Sequence, residues 1–174
     1  MKNIFLFAFI TMIISSFSGC SENKTAPAAA TVSGKAPDRI VCEQYRSDIS
    51  RTLTTFAQWG MQYNNSVELL DAQNSVVGYL LLPPEKYERV AGYNDYINTA
   101  VLLSPEKRII SAVLGKHSET PRFIKRVQDN GFMNKWNGMT PAEAAELKVD
   151  AITRATYSCN AISSEVKAVC LEYK

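Results

Sequence analysis

The sequence is poor in the residues that many catalytic and nucleic-acid-binding proteins depend on. It holds a single histidine, His117, so neither a multi-histidine metal site nor a Cys/His zinc site is well supplied. Its four cysteines, Cys20, Cys42, Cys159 and Cys170, include no CxxC or CxxCH pattern. That argues against haem attachment, iron–sulfur ligation and thioredoxin-type exchange. An excess of one charge is also missing. The 19 Lys and Arg nearly balance 17 Asp and Glu and are dispersed among them, so nucleic acid is not an expected partner. No Ser-His-Asp or paired-carboxylate constellation points to hydrolysis. No apolar run reaches the roughly 20 residues that a membrane-spanning helix needs.

What the chain does have begins at its amino terminus. Lys2 and Asn3 precede an apolar run over residues 4–14, followed by Ser15, Ser16 and the tetrapeptide Phe17-Ser18-Gly19-Cys20. A short charged start and a brief apolar stretch make an export signal. The tetrapeptide resembles a lipobox, with Phe17 where Leu is preferred. The resemblance implies cleavage after residue 19, lipidation of Cys20, and attachment to a bacterial membrane on its periplasmic or cell-surface side. Ser21 follows in place of an acidic retention residue, and inner and outer membrane both remain open. Residues 20–37, small and polar with Pro27, Gly34 and Pro37, read as a flexible tether. Residues 38–174 are of single-domain size.

From Asp38 to about Trp59, apolar residues including Ile40, Val41, Tyr45, Ile49, Leu53 and Phe56 recur every three to four positions. This predicts one amphipathic helix with Asp38 as its N-cap. Val67–Leu70 and Ser75–Leu82 read as a hairpin about the polar turn 71–74, and Ile97–Leu103 with Arg108–Leu114 as a second pair about 104–107. A helix is expected over Glu119–Gln128, with Thr120 and Pro121 at its start and Asn130-Gly131 at its stop. Thr140-Pro141-Ala142-Glu143 forms a capping box, and a last helix carries Ile162, Val166 and Val169. Four strands in hairpins with packed helices give an α+β fold. In a final helix over residues 159–173, Cys159 and Cys170 would stand about 16 Å apart, too far for a disulfide. Either can meet Cys42 in an oxidising compartment, or all three remain reduced.

The segment Asp150-Ala151-Ile152-Thr153-Arg154-Ala155-Thr156-Tyr157-Ser158 resembles the signature Asp-x-x-Ser/Thr-Gly-Ala-Thr of the FMN-binding domain. That domain occurs in the C and G subunits of sodium-pumping NADH:quinone reductase and of Rnf complexes. Gly92-Tyr93, then His117-Ser118-Glu119-Thr120-Pro121, then Phe132 and Trp136-Asn137-Gly138 resemble further family elements in the same order, so the similarity runs from about Val67 to Val169. Two departures put bulk where the family has glycine: Arg154 within the signature, and Arg122 after Glu-Thr-Pro.

The resemblance implies an antiparallel FMN-binding-domain-like sheet with packed helices and FMN as cofactor. It also implies a flavin site made from Thr156, Ala155, Arg154, Thr153, Tyr157, Ser158, Glu119, Thr120 and Tyr93. In the family, the last Thr of the signature can be esterified to FMN phosphate by a flavin transferase; here that residue is Thr156, whose other reading is an ordinary helix cap. Arg154 can hinder the transferase or bind phosphate directly through its guanidinium. Tyr93 and Trp136 are candidates for stacking on the flavin, and His117 for a direct contact. The implied function is a lipid-anchored electron carrier between membrane-bound and extracytoplasmic redox proteins, rather than a stand-alone enzyme. The alternative is a degenerate fold acting as a flavin-free binding or assembly module.

Overall fold

The computed structural model describes residues 33–173. The export signal, Cys20 and the tether up to residue 32 lie outside the described residues. The elements are α1 (Arg39–Glu43), α2 (Arg46–Thr52), β1 (Gln58–Tyr63), β2 (Ser66–Leu70), β3 (Val76–Leu81), β4 (Thr99–Leu103), β5 (Ile109–Leu114), α3 (Pro121–Asp129), α4 (Pro141–Glu146) and α5 (Thr156–Glu172). A 3-10 turn over Phe132–Asn134 joins α3 to α4.

The strands form one antiparallel sheet in the order β1-β2-β3-β4-β5. Local chemistry closes its hairpins. Between β2 and β3, Asp71 Oδ1 accepts from the backbone N–H groups of Gln73 and Ser75, both at 2.8 Å. Asn74 there takes φ 64°, a conformation Asn tolerates. Between β4 and β5, Ser104 N–H donates to Arg108 O at 2.8 Å and Lys107 takes φ 62°. The connection from β3 to β4, residues 82–98, contains neither helix nor strand.

Both faces of the sheet are covered. On one, Leu81, Val101, Leu103 and Ile109 pack with Ile124 of α3, Ala144 of α4 and Ile162, Val166 and Val169 of α5. On the other, Val67, Leu69, Leu80, Ala100 and Leu102 pack with Cys42, Tyr45 and Ile49. Every residue of β4 is buried. Its unbroken apolar run, Ala100–Leu103, is what a strand with two covered faces requires.

The structure alters the expected amphipathic helix over 38–59. Asp38 does cap it, accepting from Ile40 N at 2.9 Å, but α1 stops at Glu43. A second short helix, α2, follows it, and the strand β1 begins at Gln58 before the span ends. The buried face uses Cys42, Tyr45 and Ile49, whereas Ile40 is 83% exposed. The sheet therefore has five strands rather than four. The terminal stretch attaches early: Lys35, expected in the tether, pairs its backbone with Gln62 of β1 at 2.9 and 2.8 Å. Thr140 and Glu143 form the expected capping box at α4. Among the described residues, Cys42, Cys159 and Cys170 are free and buried. Burial pushes the Cys42 thiol up to about 11 and that of Cys170 to about 12.

Candidate functional site

The start of α5 is built on a tight bend. Ala155 N–H donates to Ile152 O at 2.9 Å, and Arg154 is forced to φ 67°. A left-handed conformation costs an L-residue roughly 1–2 kcal/mol that glycine does not pay. That is a physical reason for glycine at this place in the signature, and Arg154 bears the cost. Ala155 occupies the N-cap position, and no side chain caps the helix. The first helical bond runs from Cys159 N to Ala155 O, so the N–H groups of Thr156, Tyr157 and Ser158 have no partner within the helix. They form the positive end of a 17-residue dipole, a setting that favours an anion.

A cavity of about 470 Å³ opens against this helix start, within the roughly 300–1,000 Å³ usual for small-molecule sites. One part of its wall is aromatic, made by Tyr93, Phe123 and Tyr157. The Tyr93 ring meets Phe123 edge-on at 5.1 Å and lies 6.4 Å from Tyr157. Arg122, Arg126 and Arg154 with the backbone of residues 155–158 supply the wall's cationic and polar part, and the two parts adjoin where the Arg122 guanidinium lies over the Phe123 ring at 4.9 Å. The mixture suits a ligand with a planar ring and an anionic tail.

Of the residues proposed from the sequence, Tyr93, Arg154, Ala155, Thr156, Tyr157 and Ser158 come together on this wall. Thr156 is the exposed first residue of α5 rather than its cap. Thr153 is exposed on the preceding turn and Thr120 is the N-cap of α3; neither lines the cavity. Glu119 lies behind the wall, buried, with both carboxylate oxygens engaged. Oε1 accepts from Asn94 N–H at 2.9 Å and Oε2 from the Ser158 hydroxyl at 2.8 Å. It positions the cavity wall instead of lining it. His117 is exposed outside the cavity. Trp136 is in the core, edge-on to Phe132 at 5.7 Å, and cannot stack on a bound ring.

Tyr93 rides on the irregular connection 82–98, which is held at several points. Gly92 lies so close to Glu119 that an added Cβ would overlap Oε1 and stand 3.0 Å from Asp95 O. Glu165, fully buried on α5, accepts from the Tyr87 hydroxyl and from Arg89 Nε at 2.8 Å. Arg89 also donates to Asn98 Oδ1 at 3.0 Å. Burial, reinforced by the carboxylate, pushes the Tyr87 hydroxyl above its ordinary value and keeps it a donor. Sequence reasoning missed this anchor, although a glutamate on the apolar stripe of Ile162, Val166 and Val169 marks it. It also missed Phe123 and Arg126, and treated Arg122 only as bulk.

Residues 92–170 match the family model described as the FMN-binding domain. The match begins at Gly92, later than the similarity from Val67 suggested, and takes in β4, β5, α3, α4 and most of α5. No curated protein and no solved structure matches the chain.

Proposed function

Residues 92–170 form a domain of the FMN-binding family, with FMN as its cofactor, and we propose that the chain works as a lipid-anchored electron carrier outside the cytoplasm. FMN, when bound, supplies one- and two-electron transfer; the polypeptide sets its position and exposure. The observation that carries the reading is one cavity with an aromatic wall for a planar ring and an uncapped helix start for a phosphate. Tyr93, Phe123 and Tyr157 would flank the ring system, while the N–H groups at the start of α5 would receive the phosphate.

Attachment through Thr156 is part of the proposal. Its exposure at the first residue of α5 leaves its hydroxyl within reach of a second protein, and a flavin transferase would move the FMN phosphoryl group from FAD onto that hydroxyl, breaking the pyrophosphate bond and releasing AMP. A covalent bond would keep a diffusible cofactor from being lost outside the cell. The lipobox-like segment ending at Cys20 supports the anchor, and membrane-bound or extracytoplasmic redox proteins are the partners the reading requires.

The test is flavin fluorescence of the protein band after denaturing electrophoresis, following export with a co-expressed flavin transferase. Fluorescence in the wild type that disappears in Thr156→Val establishes the ester. A dark wild-type band with a yellow native protein refutes covalent attachment alone. A colourless native protein favours the flavin-free assembly module instead. In parallel, labelled fatty acid should enter the wild type and not Cys20→Ser; equal labelling overturns the anchor.

A further inference from the structure

We infer that Arg122, Arg126 and Arg154 form an ionic clamp that holds the FMN phosphate even where the Thr156 ester is absent and selects FMN over unphosphorylated riboflavin. The inference rests on the flavin reading of the same cavity and assigns its cationic wall a separate task.

Two of the three arginines stand where the local fold disfavours them. Arg122 follows Pro121 in the first turn of α3, at the positive end of the helix dipole, where an acidic residue would be stabilising. Arg126 lies four residues further along the same face; its place in the last turn of α3 suits the helix dipole, but like charges at that spacing repel. Arg154 occupies a left-handed backbone position that glycine would fill without strain. The neighbouring Lys125, by contrast, is neutralised on the same helix by Asp129 at 2.7 Å. Among the described residues, none of the three arginines forms an ion pair.

Two locally unfavourable choices and a third cation beside them converge on one cavity, a pattern expected where function overrides stability. The ligand chemistry follows from the groups. Guanidinium is a planar fork that matches phosphate oxygens with paired hydrogen bonds. The arginines approach from α3 and from the bend before α5, so an anion between them is held from two sides and also faces the N–H groups of Thr156, Tyr157 and Ser158. A phosphomonoester carries about −1.5 to −2 at neutral pH, a charge these partners can neutralise. Riboflavin offers the same ring to the aromatic wall and nothing to the clamp.

The experiment uses the full-length Thr156→Val protein, in which no ester can form, titrated with FMN and with riboflavin by fluorescence and calorimetry. FMN should bind at least about 100-fold more tightly, since each charge-assisted contact is worth about tenfold or more. Arg122→Gln, Arg126→Gln and Arg154→Gln should each weaken FMN about tenfold; riboflavin should be unchanged in Arg126→Gln and Arg154→Gln, whereas Arg122 also lies over the Phe123 ring at 4.9 Å. Added salt should weaken FMN alone. Equal affinities for the two flavins overturn the clamp while leaving the flavin site standing. If neither flavin binds, the flavin reading fails, and inorganic phosphate then decides the clamp through the Nε–H resonances of the three arginines. Saturable shifts in all three retain it; their absence overturns it.

Discussion

Replacing Arg154 by glycine should make the protein more stable and its cofactor less tightly held. The stability term comes from the backbone. At φ 67° the native conformation costs an L-residue roughly 1–2 kcal/mol, while glycine's greater freedom in the unfolded chain returns about 0.4–1 kcal/mol of that gain. The net stabilisation is about 1 kcal/mol, or about 2–4 °C in melting temperature for a domain of this size. Arg154→Ala separates the two roles of the residue, because alanine keeps the strain and removes the guanidinium. Urea denaturation of the flavin-free protein should therefore rank Gly above Ala by about 1 kcal/mol. Both variants should show the same loss of FMN affinity. A glycine variant no more stable than the alanine variant would refute the strain argument, and an FMN affinity unchanged in both would remove Arg154 from the site.

Glu165→Ala strands the Arg89 guanidinium and the Tyr87 hydroxyl against α5, and should destabilise the fold by about 3–5 kcal/mol; a loss below about 1 kcal/mol in urea titration would show that the connection 82–98 is held elsewhere. Gly92→Ala forces a Cβ against Glu119, and should cost about 1–3 kcal/mol with a shift in the environment of Tyr93, read by the resonances of its ring. Raised thiol values in Cys42 and Cys170 mean that the unfolded chain loses these protons first. Their contribution to stability is full below pH 9 and is lost as pH rises towards 11–12. Unfolding midpoints that fall equally in Cys42→Ala and the wild type over that range would exclude Cys42 as a source. In the native protein at pH 8, a thiol reagent should leave all three cysteines unmodified and react with them in urea; fast native modification would contradict their burial.

Much of the sheet was legible because its turns carry their own chemistry. Asp71 and Asn74 close one hairpin locally, and the apolar runs of β4 and β5 admit no solvent-facing alternative. The same local logic made the capping box of Thr140 and Glu143 readable. β1 escaped because Gln58-Trp59-Gly60-Met61-Gln62-Tyr63 belongs to an edge strand, half-exposed and broken by a glycine, and because the apolar spacing of the preceding residues runs on without a stop. The division between α1 and α2 was hidden for the same reason.

At the site, the signature around Thr156 identified the helix start, since its residues are contiguous. The cationic wall was not visible, because Arg122 and Arg126 read as a solvated helix face until α3 is placed beside α5. The useful signal was the contrast within that helix between Lys125, which has an acid four residues on, and two arginines that have none.

Glu119 joins three stretches that are distant in the chain, bonding Asn94, 25 residues before it, and Ser158, 39 residues after it. No fragment ending before α5 contains both partners. The wall that Glu119 braces is thus complete only once α5 has docked, and cofactor loading is expected to follow that step. Flavin content then reports on folding: molecules that misassemble at their last helix would stay empty, and could be told from finished ones by colour alone.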